Sequence, residues 1–150
     1  MSKERLNIEL FKKIREKIAA TPEAYDQETY GRREEEAPCG TAACIAGWAC
    51  VLSDRVPLLT LQRQRYISNL DIPFLAAEAL NLTVDEADIL FSGNPDWDDG
   101  AETDVRAWPE PYASDWSASK TLPEITQLKE QARIAVAYLD RIIETGKVLE

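Results

Sequence analysis

Residues 39–50 read CGTAACIAGWAC, and the character of this stretch sets the fold class. Carried on to Leu52, it places Ala42, Ala43, Cys44, Ile45, Ala46, Trp48, Ala49 and Val51 in one run with almost no polar face. A helix that is apolar on every side belongs at the centre of a helical protein. The stretch therefore predicts a buried central helix starting near Cys39. Gly40, Cys44 and Trp48 share one row of four-residue steps, and Ala43 and Gly47 share another, so neighbouring backbones have room to come close. Gly47 costs about 1 kcal/mol relative to alanine inside a helix, which suggests such a contact.

Towards the N-terminus, Leu6, Leu10, Phe11, Ile14 and Ile18 recur at three- and four-residue steps, the mark of an amphipathic helix over about Lys3–Ala20. Thr21-Pro22 ends it, because proline disfavours helical geometry in the residue before it. Pro22–Pro38 is polar and reads as an exposed connector pinned by Tyr25 and Tyr30. On the other side, Val56–Asn69 is ambiguous, with Leu58, Leu61, Arg65 and Tyr66 as the positions a helix would use, and Asp71-Ile72-Pro73 resembles a helix start leading into Leu75, Ala79 and Leu80, with Asn81 as a left-handed stop. Thr83-Val84-Asp85-Glu86 fits a capping box, so a short helix runs to about Phe91 and is closed by Gly93. Ser92–Lys120 has no period and reads as a long irregular loop. Thr121-Leu122-Pro123-Glu124 is a second capping-box match. Ile125, Leu128, Ala132, Ala135, Val136, Leu139, Ile142 and Ile143 then mark one face of the longest helix, ended by Gly146.

The expected fold class is mainly α: a single compact helical domain over 1–150, of about five helices. Its central buried helix is surrounded by the first, fourth and last, and a Trp-, Pro- and Asp-rich loop covers one end. With 45% apolar and 29% charged residues, 150 positions suffice for one core. No apolar run is long enough to span a bilayer and the opening MSKERLNIELFKK is unlike a signal peptide, so a cytoplasmic chain is expected, with no membrane partner. Three cysteines without an export signal argue for reduced thiols. The net charge of −10 repels a phosphate backbone, so direct nucleic-acid binding is not expected.

Taken with Leu80-Asn81-Leu82-Thr83 and the Glu86-Ala87 to Leu90-Phe91 helix, the Cys39–Cys50 segment resembles an uncharacterised family of small bacterial and phage proteins. The shared mark is a CGT-x-x-C-I-A-G-W-A core, matched here by Cys39, Gly40, Thr41, Cys44, Ile45, Ala46, Gly47, Trp48 and Ala49. The resemblance implies a helical fold and carries no activity.

Three sets of residues are candidates for function. Cys39 at a helix start, followed by Gly40 and Thr41, would place a thiol or a small anion where helix N–H groups and the dipole favour negative charge. The absence of histidine removes the usual base for a cysteine hydrolase and a natural fourth ligand for zinc. Trp97, Trp108 and Trp116 would line a pocket or interface, or hold the loop to the body. Asp96, Asp98, Asp99, Glu102 and Asp104 offer oxygen ligands to a hard cation but depart from the EF-hand pattern, so a solvated acidic loop is favoured. No cofactor is expected. The leading expectation is a non-enzymatic binding or regulatory module that engages a protein or small anionic ligand through Cys39, Gly40, Thr41 and the three tryptophans. The alternatives are a thiol enzyme using Cys39 and an acidic decoy for a nucleic-acid-binding protein.

Overall fold

The structure, a computed structural model, describes residues 6–25, 32–33, 41–56, 71–91 and 108–148. It is mainly α. Six α-helices stand among the described residues: α1 (Ile8–Ala20), α2 (Ile45–Leu52), α3 (Asp71–Leu80), α4 (Val84–Leu90), α5 (Tyr112–Ser119) and α6 (Glu124–Thr145).

Helix α1 buries Leu10, Phe11, Ile14 and Ile18, the stripe expected from its spacing. It begins later than Lys3 because the Asn7 carboxamide accepts the Leu10 N–H at 3.2 Å and so caps the first turn. A 3₁₀ turn, Pro22–Ala24, follows. Tyr25 is 2% exposed and bridges to Ala43, so it does pin the connector to the body. Tyr30 lies outside the described residues.

The central helix is shorter than expected, and the reason lies in the backbone before it. Thr41 and Ala42 form β2, paired antiparallel with Arg33 and Arg32 of β1 (Arg32–Arg33), while the Ala43 N–H donates to the Ala24 carbonyl at 2.9 Å. Groups committed to this ladder are unavailable to a helix. Helix α2 therefore starts at Ile45, with Cys44 as its N-cap and the Cys44 Sγ accepting the Gly47 N–H at 3.5 Å. Every residue from Ala43 to Cys50 is buried, as an all-apolar segment requires. The Trp48 indole N–H donates to the Ala24 carbonyl at 2.7 Å, and the Lys17 ammonium stands 4.9 Å from the indole ring.

Of the expected ring around α2, the first helix packs on it, as does α3, whereas the last packs mainly on α1 and α5. Helix α3 buries Ile72, Ala76, Ala79 and Leu80, with Leu75 only partly covered. Asn81 takes the left-handed conformation (φ 60°) as expected, and Asn7 joins this end to α1 by donating its backbone N–H to Leu80 and its Nδ2 to Ala79. The capping box of α4 is complete: Glu86 N–H donates to Thr83 Oγ1 at 3.2 Å, and Thr83 N–H donates to Glu86 Oε1 at 2.9 Å.

Two further expectations are corrected. Part of the 92–120 loop is the helix α5, which turns Ala113, Trp116 and Ser119 inward. The second capping box does not form, since Thr121 Oγ1 donates to the Ala118 carbonyl at 2.9 Å and Pro123 occupies the N-cap of α6. Gly146, at φ 72°, closes α6 in the conformation that favours glycine. One hydrophobic cluster runs through all six helices.

Candidate functional site

Cysteine chemistry is the first possibility. Cys39 and Gly40 lie outside the described residues, and the Thr41 backbone belongs to a strand rather than to a helix start. Of the anion cradle expected at Cys39-Gly40-Thr41, only Thr41 is described, four residues before the helix that begins at Ile45. The real start, at Cys44, is buried. Cys50 is 0% exposed, its thiol donates to the Ile72 carbonyl at 3.4 Å, and burial pushes its pKa up to about 12, with Cys44 nearby adding to the rise and Arg55 opposing it. Cys44 and Cys50 are buried thiols outside any disulfide, placed as core residues.

The tryptophans come next. Trp108 and Trp116 are 2% and 1% exposed and meet edge to face at 5.4 Å. Tyr25 extends the stack at 6.2 Å from Trp116, and Tyr138 extends it at 4.9 Å from Trp108, with Tyr112 stacked on Tyr138 at 5.1 Å. The Trp108 indole donates to the Leu90 carbonyl at 3.3 Å and the Tyr138 hydroxyl donates to Val148 at 2.7 Å, so these rings tie α4, α5, α6 and the chain beyond it together. That is a packing role. Trp116 Nε1 is a buried donor with no acceptor among the described residues. Trp97 lies outside the described residues, as do Asp96, Asp98, Asp99, Glu102 and Asp104. No cluster of three or more metal-ligating side chains stands among the described residues. A shallow, open depression of about 300 Å³ beside Glu110, Ala113, Ser114 and Ser117 holds no buried polar group.

What the described surface does present is a helix pair. Helices α3 and α4 follow one another through the turn at 81–83 and carry Val84 at 71% exposure and Phe74 at 63%, the two most exposed large apolar side chains described. Glu78 stands one turn beyond Phe74 on the same row, and Asp88 one turn beyond Val84, with Asp85 alongside; all three are exposed. Arg55 reaches Glu78 at 3.6 Å. Along the sequence the charge is one-sided: residues 66–105 hold ten of the 27 carboxylates and none of the 17 basic side chains. The rest of the chain carries 17 of each sign, so the whole net charge of −10 belongs to the segment that contains α3 and α4.

Against protein-family models, curated proteins and solved structures, the chain finds no match. A functional reading therefore rests on this surface. Phe74 and Val84 are not among the sequence-derived candidates. The absence of lysine and arginine over 66–105 was visible by counting, whereas the outward turn of Phe74 depends on α3 burying Ile72 and Ala76 instead of centring its buried stripe on Leu75.

Proposed function

We propose that this chain is a binding module that engages another protein through the α3–α4 pair, without covalent chemistry of its own. The observation that carries it is the pairing of exposed Phe74 and Val84 with exposed Glu78, Asp85 and Asp88 on two packed helices. Scattered single apolar side chains on a surface need no explanation; two on successive short helices whose own charged residues are all acidic are a better candidate for an interface. Support also comes from the thiols among the described residues, since Cys44 and Cys50 are buried in the core.

The test is retention of proteins from an extract of the source cells on the immobilised whole chain, run beside a Phe74→Ser/Val84→Ser variant of equal helical content. A discrete protein held by the wild type and lost from the variant is the expected result. Equal retention by both would remove α3–α4 from the reading, and retention of nothing by the wild type would remove protein binding itself.

A further inference from the structure

The geometry points to Tyr112 as a site of oxidative modification, the place where a one-electron oxidation of the buried tryptophans comes to rest. This is independent of the α3–α4 surface. Five rings form one unbroken series, Tyr25 to Trp116, Trp108, Tyr138 and Tyr112, at centroid separations of 6.2, 5.4, 4.9 and 5.1 Å. Rings this close exchange an electron readily, so a vacancy made on one of them moves until it reaches the ring that is easiest to oxidise. An oxidised tyrosine or tryptophan is most stable where it can also release its proton, because the ring is then neutral, and a charge left in the core is costly.

Proton release separates these rings. The Trp116 N–H has no acceptor among the described residues, the Trp108 N–H donates to the Leu90 carbonyl, and the Tyr138 hydroxyl donates to the Val148 carbonyl. A carbonyl oxygen accepts a hydrogen bond but is too weak a base to keep the proton. Burial also holds the Tyr138 phenol pKa above its ordinary range. Tyr25, Trp116, Trp108 and Tyr138 are at most 2% exposed, whereas Tyr112, in the first turn of α5, is partly exposed and has water to receive its proton. The Arg141 guanidinium, 5.7 Å from the Tyr112 ring centre, disfavours a cationic ring there, so the proton leaves with the electron.

The step balances without a cofactor. A diffusible one-electron oxidant takes an electron from Trp108 or Trp116. Tyr112 refills the vacancy across the Tyr138 ring and gives its phenolic proton to water, which leaves a neutral tyrosyl radical. A thiol reductant returns one electron and one proton, and becomes a thiyl radical. Without it, two such radicals on two chains pair in a carbon–carbon bond and give dityrosine. The tryptophans that tie α4, α5 and α6 together stay intact while a surface phenol is oxidised.

The test irradiates the whole chain with light absorbed by tryptophan and not by tyrosine, with chloropentaamminecobalt(III) as the electron acceptor, and locates the products by peptide mass. Dityrosine should form chiefly at Tyr112. Tyr112→Phe keeps a ring stacked on Tyr138 but has no proton to release, so it should lose that product and show several-fold more oxidised Trp108 and Trp116. Trp108→Phe, checked for unchanged helical content, should form several-fold less product at Tyr112. The same preference for Tyr112 in the urea-unfolded chain would overturn the inference, because exposure or local sequence would then explain it. So would unchanged tryptophan oxidation in Tyr112→Phe, a measurement that stands even if Trp108→Phe does not fold.

Discussion

Cys50 shows how one buried side chain records the physics of the whole core. Its thiol sits at 0% exposure with Ile72 as its acceptor, and burial raises its pKa from 9.0 to about 12. A group held protonated by folding stabilises the fold fully below its unfolded pKa, and that contribution is lost as pH rises towards the folded value. The window is therefore about pH 9 to 12. Across it the wild type should lose stability faster than Cys50→Ala, by up to about 1.4 kcal/mol per pH unit, measured by urea unfolding at fixed pH steps. Equal slopes in the two proteins would show that the thiol is not desolvated as described. Tyr138, also buried and raised above the usual phenol range, contributes with the same sign in both proteins and cancels from the comparison. Little of this required the structure. The lack of any polar face from Ala42 to Leu52 already placed Cys44 and Cys50 in the core, and only their hydrogen-bond partners were out of reach.

Helix ends tell the opposite story, because an end is decided by whichever group reaches the free N–H or carbonyl first. Asn7 serves two helices: its Oδ1 accepts from Leu10 N–H at 3.2 Å, and its Nδ2 donates to the Ala79 carbonyl at 3.0 Å. Asn7→Ala should cost about 1–2 kcal/mol in chemical denaturation, at the upper end for a lost cap because the α3 terminus loses a donor too. Asn7→Asp should recover part of that, since a carboxylate keeps the cap but cannot donate to Ala79. Full equivalence of the two variants would mean that only the second contact matters. Such competition explains which ends were legible. Thr83 and Glu86 reach each other's backbone at the start of α4, and their box forms as spelled. Thr121 and Glu124 spell the same box, but Thr121 lies within reach of the last turn of α5 and donates there instead. Cys39 looked like a helix start because every residue after it suits a helix; the pairing of 41–43 with distant backbone moved the start to Ile45. Helix α5 was missed because Ala113, Trp116 and Ser119 make too short and mixed a stripe to stand out in a Pro- and Trp-rich stretch.

For the molecule as a whole, the decisive feature is where its charge lies. All of the net −10 falls in 66–105, and the remainder is balanced. The described ion pairs are exposed, among them Arg15 with Asp140 at 2.8 Å and Lys12 with Glu9 at 3.5 Å, and pairs of this kind contribute about 0–1 kcal/mol each. Repulsion within the acidic segment acts over longer distances and is not offset by cations in that segment. At about 10 mM salt the screening length is about 30 Å, comparable to the molecule, and at about 150 mM it shrinks to about 8 Å. Raising salt across that interval should therefore remove more repulsion than attraction, and the thermal midpoint should rise by about 3 °C. The same rise should be smaller in Asp85→Asn/Asp88→Asn, which takes two like charges out of the acidic segment. A midpoint that falls with salt would show that pairs such as Arg15–Asp140 outweigh the repulsion.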